Sequence, residues 1–310
     1  MNTDSKILII VGGSISKLDP FREPAKKLGL DVTFATFSDL SFISNPGSSD
    51  FILKIGDTDI ADFDVIYVRM VGRRVEDVTL LANYAVGKGV RIVDNLYQNA
   101  LLLPSSISKA MEMKKLIESG VPFPRTFFGS LDKIKNKAPE LFGFNFVIKS
   151  TSGKKARDVW SPKTQEELGQ IVSELKPREK SGDRFFAQQM LRSTQRIRVL
   201  AINGKAVAAI TRPTKYRKRF LNKDSSGEYP NGEKSAIYPI PPQLQTIAEN
   251  AANAANLDIA GVDIMPELDS DRLYVIEVNA APSWKLIAKD TKMIVEEEIL
   301  NFLSQIAQDE

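Results

Sequence analysis

Glu277 and Asn279 stand two residues apart in the run Val275-Ile276-Glu277-Val278-Asn279-Ala280-Ala281-Pro282, and Asp263 is centred in Gly261-Val262-Asp263-Ile264-Met265. Side chains two apart on a strand point to one face, so Glu277 and Asn279 project together while Ile276 and Val278 turn to the opposite, apolar side. A neighbouring strand carrying Asp263 at a matching height would gather two carboxylates and one amide oxygen. Packed carboxylates repel, so such a cluster calls for a cation. Three hard oxygens with room for water and phosphate suit Mg²⁺ better than a closed calcium cage, with Mn²⁺ as the other hard cation the set accepts. Asp, Glu and Asn are poor strand formers, and here they interrupt apolar runs. That argues against unrelated polar residues on a solvated face.

Two absences narrow the chemistry further. The 310 residues contain no Cys and no His. Disulfides, thiolate metal sites and Cys nucleophiles are excluded, and with them Ser-His-Asp hydrolysis and the commonest general base. The composition, 43% hydrophobic and 26% charged, is that of a soluble globular protein. The balance of 42 Lys and Arg against 39 Asp and Glu, net +3, is too mild to indicate a nucleic-acid partner. The few aromatics of the basic stretch 212–234, Tyr216 and Phe220 beside its basic cluster, do not form a stacking ladder, so nucleic acid is not expected there either. The N-terminus is too short and acidic for a signal peptide and no apolar run reaches membrane-spanning length, so a cytoplasmic protein without a membrane segment is expected.

The elements that must position these residues follow from the hydrophobic pattern. Strands are predicted at 6–11, 31–36, 65–69 and 90–94, alternating with helices at 20–29 and 75–87. This pattern predicts a small parallel α/β unit. A helix at 106–119 ends at Gly120, and Pro122 and Pro124 prevent its resumption. Strands are predicted at 125–128 and 144–150, a helix at 164–175, and strands at 184–191, 196–202 and 205–211, the last two joined by the hairpin signal Asn203-Gly204. Residues 212–234 read as a long basic loop. A helix from Pro241-Pro242 to Asn256, strands at 259–265 and 273–278, and one C-terminal helix at 289–307 complete the chain.

The pair of motifs, with Glu277 fourteen residues after Asp263, resembles the magnesium motif of the ATP-grasp superfamily. In particular it resembles that of the ribosomal-protein-S6-modification and glutathione-synthetase-like carboxylate–amine ligases. The resemblance runs from about residue 106 to 282, and the α/β start suits the family's N-terminal domain. It implies an α/β and α+β protein, an ATP-grasp fold behind a small parallel α/β domain. The implied parts are an N-terminal domain at 1–104, a lid at 105–190 and a catalytic part at 191–310. Site roles come with it. Asp263, Glu277 and Asn279 are the metal ligands. Lys109, heading a segment similar to the family's K…L…GIP.P.T pattern, and Lys149, ending a strand, are the two nucleotide lysines. Gly153 and Lys154 lie where the family has a glycine-rich flap, although here only Gly153 remains of the glycines. Gln188, Gln189, Met190 and Leu191 resemble the hinge that receives adenine, with Gln189 in place of the common Glu. Met190 and Met265 are candidates for apolar contact with the purine.

Arg198 matches an arginine that holds the transferred phosphoryl group, while Arg196 stands where relatives often carry an acid. Arg212 and Asn222 match a downstream substrate pattern whose Gly-Gly pair is missing here. The implied activity is an ATP-dependent carboxylate–amine ligation, in which a carboxylate takes the γ-phosphoryl group and an amine then displaces phosphate. Arg binds carboxylates bidentately, so the basic loop favours an amino acid or an acidic peptide or protein tail as substrate. An ATP-grasp kinase and a nucleotide-binding scaffold without turnover are the alternatives, and assembly of several copies is left open.

Overall fold

The computed structural model describes residues 5–42, 51–98, 109–151, 158–214, 234–268, 270 and 272–308. The chain opens on β1 (Lys6–Val11), whose Ile7–Val11 side chains are all fully buried, as expected of a strand covered on both faces. A 3-10 segment (Ile15–Phe21) capped by Ser14 leads into α1 (Arg22–Leu28), which Gly29 closes in the left-handed region at φ 65°. β2 (Asp31–Thr36) lies parallel to β1. β3 (Leu40–Phe42), β4 (Leu53–Ile55) and β5 (Thr58–Asp59) then form a small antiparallel sheet that the hydrophobic pattern did not announce, because strands of two or three residues carry too few alternations to read. β6 (Val65–Met70), α2 (Val75–Gly87) and β7 (Arg91–Val93) complete a parallel sheet of order β2-β1-β6-β7.

The middle of the chain starts with α3 (Lys109–Glu118). β8 (Thr126–Gly129), α4 (Leu131–Phe142), β9 (Phe146–Ser150), β10 (Val159–Trp160), α5 (Gln165–Lys180) and β11 (Phe185–Gln189) form an antiparallel sheet of order β10-β9-β11-β8 with two helices on it. Helix α4 is an addition to the sequence reading. Ser130 caps it by accepting the Lys133 N–H, and Leu131, Ile134 and Ala138 bury one stripe despite Pro139 inside the helix. α5 runs to Lys180, past the expected end at 175, with Pro177 inside it. This layer has its own core of Leu131, Ile134, Phe146, Ile148, Leu168 and Phe185.

β12 (Gln195–Ile202), β13 (Lys205–Pro213), β14 (Ser235–Ala236), α6 (Pro242–Ala254), β15 (Ile259–Pro266) and β16 (Leu273–Asn279) follow, giving a sheet of order β14-β13-β12-β15-β16. The expected single C-terminal helix is two, α7 (Lys285–Thr291) and α8 (Val295–Ile306), because Lys292 turns left-handed at φ 61° between them. One face of this sheet packs Val199, Ala201, Val262 and Ile264 against Leu244, Ala248 and Ala251 of α6. The other face is divided. At one end Leu200, Ile202, Ala208, Ile210 and Ile259 meet α7, α8 and the Ile7, Ile9 and Tyr67 side of the N-terminal sheet. At the other end the same face carries Arg196, Arg198, Asp263, Glu277 and Asn279.

A short fold-back after β16 joins these bodies. The Arg69 guanidinium lies 3.9 Å over the Trp284 ring and donates to the Pro282 carbonyl at 2.8 Å. Trp284 Nε1 donates to Glu296 at 2.7 Å. Pro282 folds onto β15 so closely that a Cβ at Gly261 would sit 2.6 Å from its Cβ. We expect Gly261→Ala to destabilise the protein by about 1–3 kcal/mol, since a packed ring has nowhere to shift. Gly87→Ala, whose Cβ meets nothing within 4 Å, serves as the control and should not lower the melting temperature. Equal melting temperatures for the two variants would contradict the close packing.

Candidate active site

Register places the polar residues in rows across three adjoining strands. Arg198 on β12 pairs with Asp263 on β15, which pairs with Glu277 on β16, and Gly261 pairs with Asn279 in the next row. A register shift after Asp263 skips Ile276, so β16 bulges beside Glu277. The matching height expected from sequence is therefore met by direct cross-strand partners.

Asp263 is 4% exposed, and Arg198 grips it with Nε to Oδ1 and Nη2 to Oδ2, both at 2.7 Å. The hydrogen bonds to Asp263 raise the Arg198 pKa further, against burial. Arg196 approaches the same carboxylate more loosely, at 3.9 Å. Its cross-strand partner is Arg212, whose guanidinium is held by Asp290 of α7 and by the Thr211 carbonyl. The mutual repulsion of the two arginines is relieved by a different carboxylate for each.

Helix α3 lies along the outer edge of β16. The Val275 N–H donates to the Pro122 carbonyl at 2.8 Å, and the Val278 N–H to Glu112 Oε1 at 3.0 Å. Lys109, one turn before Glu112, reaches Glu277 at 2.5 Å and Glu112 at 3.3 Å. Burial pulls the Lys109 pKa down, but Glu112 and Glu277 outweigh it and the net shift is upward. Burial pushes the Glu112 carboxyl up, against Lys109 and the Val278 N–H. Glu112 was not singled out from sequence. Its signal is only the i,i+3 spacing from Lys109, which any surface helix can show. Asp290 gave no signal at all.

From the other side, Lys149 of β9 donates to Gln188 Oε1 at 2.7 Å, and Gln188 Nε2 donates to Thr126 Oγ1 at 2.9 Å. Burial lowers the Lys149 pKa to about 8, with Glu277 opposing and Lys109 assisting. Gln188 is thus buried as the holder of Lys149, and both ends of its amide are committed. Gln189 and Met190 are fixed through backbone N–H groups, to Arg125 at 2.9 Å and Asn145 at 3.0 Å, and Leu191 is buried. Met265 shares the Asp263 side of β15, half-buried. Gly153, Lys154 and Asn222, with most of the basic loop, lie outside the described residues.

The donor set suits a hard divalent cation. Asn279 donates its Nδ2 to the Gly261 carbonyl at 3.3 Å, so its amide oxygen is the atom that could face a cation. Among the described residues no three His, Cys, Asp or Glu side chains form a metal cluster, so a cation here needs Asn279 beside the two carboxylates.

A model of the RimK-like ATP-grasp domain matches residues 107–303, nearly two-thirds of the chain. The chain belongs to the RimK-like ATP-grasp family. A relative from Syntrophotalea carbinolica named "Probable alpha-L-glutamate ligase" is 25% identical over 221 residues, 68% of each chain. "Ribosomal protein bS6--L-glutamate ligase" of Escherichia coli O81 is 25% identical over 205 residues, 65% of each. Among solved structures, the ATP-grasp ligase PsnB complexed with minimal precursor, Mg and ADP superposes with a TM-score of 0.72 at 14% identity, covering 99% of both chains. The macrocyclase MdnC bound with precursor peptide MdnA, from Microcystis aeruginosa, gives 0.69 at 12% identity, covering 97% of this chain and 99% of that one. This RimK-like chain is accordingly an ATP-dependent, ADP-forming carboxylate–amine ligase. No helix among its described residues is long and apolar enough to cross a membrane.

The lowered Lys149 pKa has a measurable sign. The unfolded chain keeps its proton to about pH 10.5, while the folded one releases it near pH 8. Between those values the unfolded state binds more protons, so stability rises with pH. Against Lys149→Met, wild-type stability should gain about 2 kcal/mol from pH 7 to pH 10, measured by urea unfolding at each pH. A difference that does not change with pH would remove the buried-ammonium assignment.

Proposed function

We propose that this ligase activates an acidic amino acid or the acidic end of a peptide, in the cytoplasm, on the row formed by Arg198, Asp263 and Glu277. The observation that carries the reading is Lys109 paired with Glu277 beside Arg198 and Asn279, with Lys149 of the 126–189 layer close enough to feel the Glu277 charge. Those cations suit the phosphates of ATP. In this reading the layer 126–189 is the lid and the sheet 195–279 the base, with Gln189, Met190, Leu191 and Met265 against the purine. Gln188 acts through Lys149. Gly153 and Lys154 would cover the phosphates. Arg212 and Asn222 would meet the substrate, Arg212 exchanging Asp290 for a substrate carboxylate. The names of relatives that ligate L-glutamate support an acidic substrate, and neighbours bound to precursor peptides support a peptide one.

The substrate carboxylate oxygen bonds to the γ-phosphorus as the bond to the β–γ bridging oxygen breaks and ADP leaves. The amine then bonds to the acyl carbon, phosphate departs, and the amine proton passes to phosphate or water. Asp263, Glu277 and Asn279 would hold Mg²⁺, or Mn²⁺, which neutralises phosphate charge when bound. Arg198, already fixed by its fork on Asp263, presents its remaining N–H donors to the transferred phosphoryl group.

Two experiments test this reading. Acidic, neutral and basic amino acids and peptides are screened for ADP release, with mass spectrometry of any adduct. L-glutamate or an acidic peptide should give a product heavier by one amide-linked residue. A phosphoester product would instead indicate a kinase, and nucleotide binding without ADP a scaffold. Glu277→Gln should lower ADP formation by about 10²-fold or more at an unchanged melting temperature, because the shape persists and one charge is lost. Near wild-type turnover in that variant, or turnover in excess EDTA, would exclude the metal role.

A further inference from the structure

Lys109 lies between two carboxylates that play unequal parts. Glu277 belongs to the metal set, whereas Glu112 does not, and the ammonium sits 2.5 Å from the first and 3.3 Å from the second. Glu112 is itself tied to the strand that bears the metal residues, through the Val278 N–H at 3.0 Å. Its position relative to Glu277 and Asn279 is therefore set by β16 and not by the freedom of a surface helix. Arg198 is stiff in its bidentate grip on Asp263, while Lys109 is a long flexible chain with 30% of its side chain exposed. Of the two cations hydrogen-bonded to Asp263 and Glu277, Lys109 is the one with the freedom to move.

We propose that Lys109 is a built-in counter-cation for Glu277 that a divalent cation displaces, and that Glu112 is the positioning residue that receives the displaced ammonium. The proposal rests on Glu277 being a metal ligand. The physical argument is competition for one carboxylate. In the ligand-free protein Glu277 already has a positive partner, so a bare divalent cation must break a contact to bind. Once it does, Glu112 keeps the ammonium beside β16 instead of releasing it to water, a few ångströms from where a polyphosphate would lie. The nucleotide then supplies the negative charge that Lys109 has lost. Metal alone binds weakly and metal with nucleotide binds well, so the two associations are coupled through one side chain. Glu112 makes this exchange local. Without it, Lys109 has no second carboxylate and stays on Glu277.

The test uses the full chain and Mn²⁺ as the probe, with free Mn²⁺ measured by electron paramagnetic resonance in the absence of nucleotide. Lys109→Met should bind Mn²⁺ about fivefold more tightly than wild type, because the competing ammonium is gone. Glu112→Gln should bind it about threefold more weakly, because the ammonium has nowhere else to go. The deciding measurement is the double variant. If Glu112 acts through Lys109, Glu112→Gln has no effect on Mn²⁺ affinity in the Lys109→Met background. If Glu112 acts only as a tie for β16 or as a general negative field, its effect is the same in both backgrounds, and the proposal fails. It fails equally if Lys109→Met leaves Mn²⁺ affinity unchanged or weakens it. Lys109→Gln replaces Lys109→Met throughout should the latter not fold. Glu277→Gln separates the two levels. Unchanged Mn²⁺ affinity in that variant overturns the metal site itself, whereas lost affinity with no response to Lys109 overturns only the exchange.

Discussion

The two 2.7 Å hydrogen bonds from Arg198 to Asp263 are the contact on which this face of the sheet depends. A carboxylate that is 4% exposed between two strands is costly unless it is paired and hydrogen-bonded, and the fork of an arginine does both at once. With Asp263 matched, Glu277 can stand opposite it and take its own cation from α3. Arg212 and Asp290 extend the alternation to β13 and α7. The face is thus charge-matched largely pair by pair before any ligand arrives, and its charges are held in place by strands and helices and not by loops. Preorganised charge of this kind is what phosphoryl transfer requires from a protein without histidine.

The same face would be unstable if it were polar along its whole length. Its other end carries Leu200, Ile202, Ala208, Ile210 and Ile259, which join the buried side of β1 and β6 and the stripe of α8 in one core. Half the face anchors the sheet and half is left for chemistry. The turn between the two uses is the fold-back of residues 280–284. Arg69 and Trp284 hold that segment to the N-terminal sheet, and the bare Cα of Gly261 lets it lie against β15. A fully buried Asp94 makes a second tie, accepting the Ile259 N–H at 2.8 Å at the start of β15. Asn95 makes a third through Asp258. The strand bearing Asp263 is therefore tied at its start, residues 258–261, to the N-terminal unit.

Much of this was legible in the sequence because the period-2 pattern and its interruptions coincide on β15 and β16. Apolar residues fill the core side, so the polar ones on the other side had to be there for another reason. The Asn203-Gly204 hairpin was legible for a local reason, since both residues adopt positive φ, 52° and 67°. What the sequence left open is tertiary. Gln188 resembled a residue of the adenine hinge, yet its amide is spent on Lys149 and Thr126, a use that only the pairing of β9, β11 and β8 reveals. Helix α4 went unread because its stripe is thin, three buried positions among lysines with a proline inside. The break at Lys292 went unread because a left-handed lysine leaves no mark in composition.

The two lysines show why the site needs both bodies. Lys149 is held inside the 126–189 layer at a cost that its low pKa reports, and its amide partner Gln188 offers dipole but no countercharge. Lys109 has the opposite arrangement, with carboxylates on both sides and its pKa held up. One ammonium lacks negative charge and the other has a surplus within reach. A polyanion entering between them relieves the first and takes over from Glu277 for the second. Both lysines therefore suit a bound anion, although the two do not satisfy their charge in the same way without one. The fold thus leaves the two ammonium groups in opposite electrostatic states, one short of negative charge and one well supplied with it.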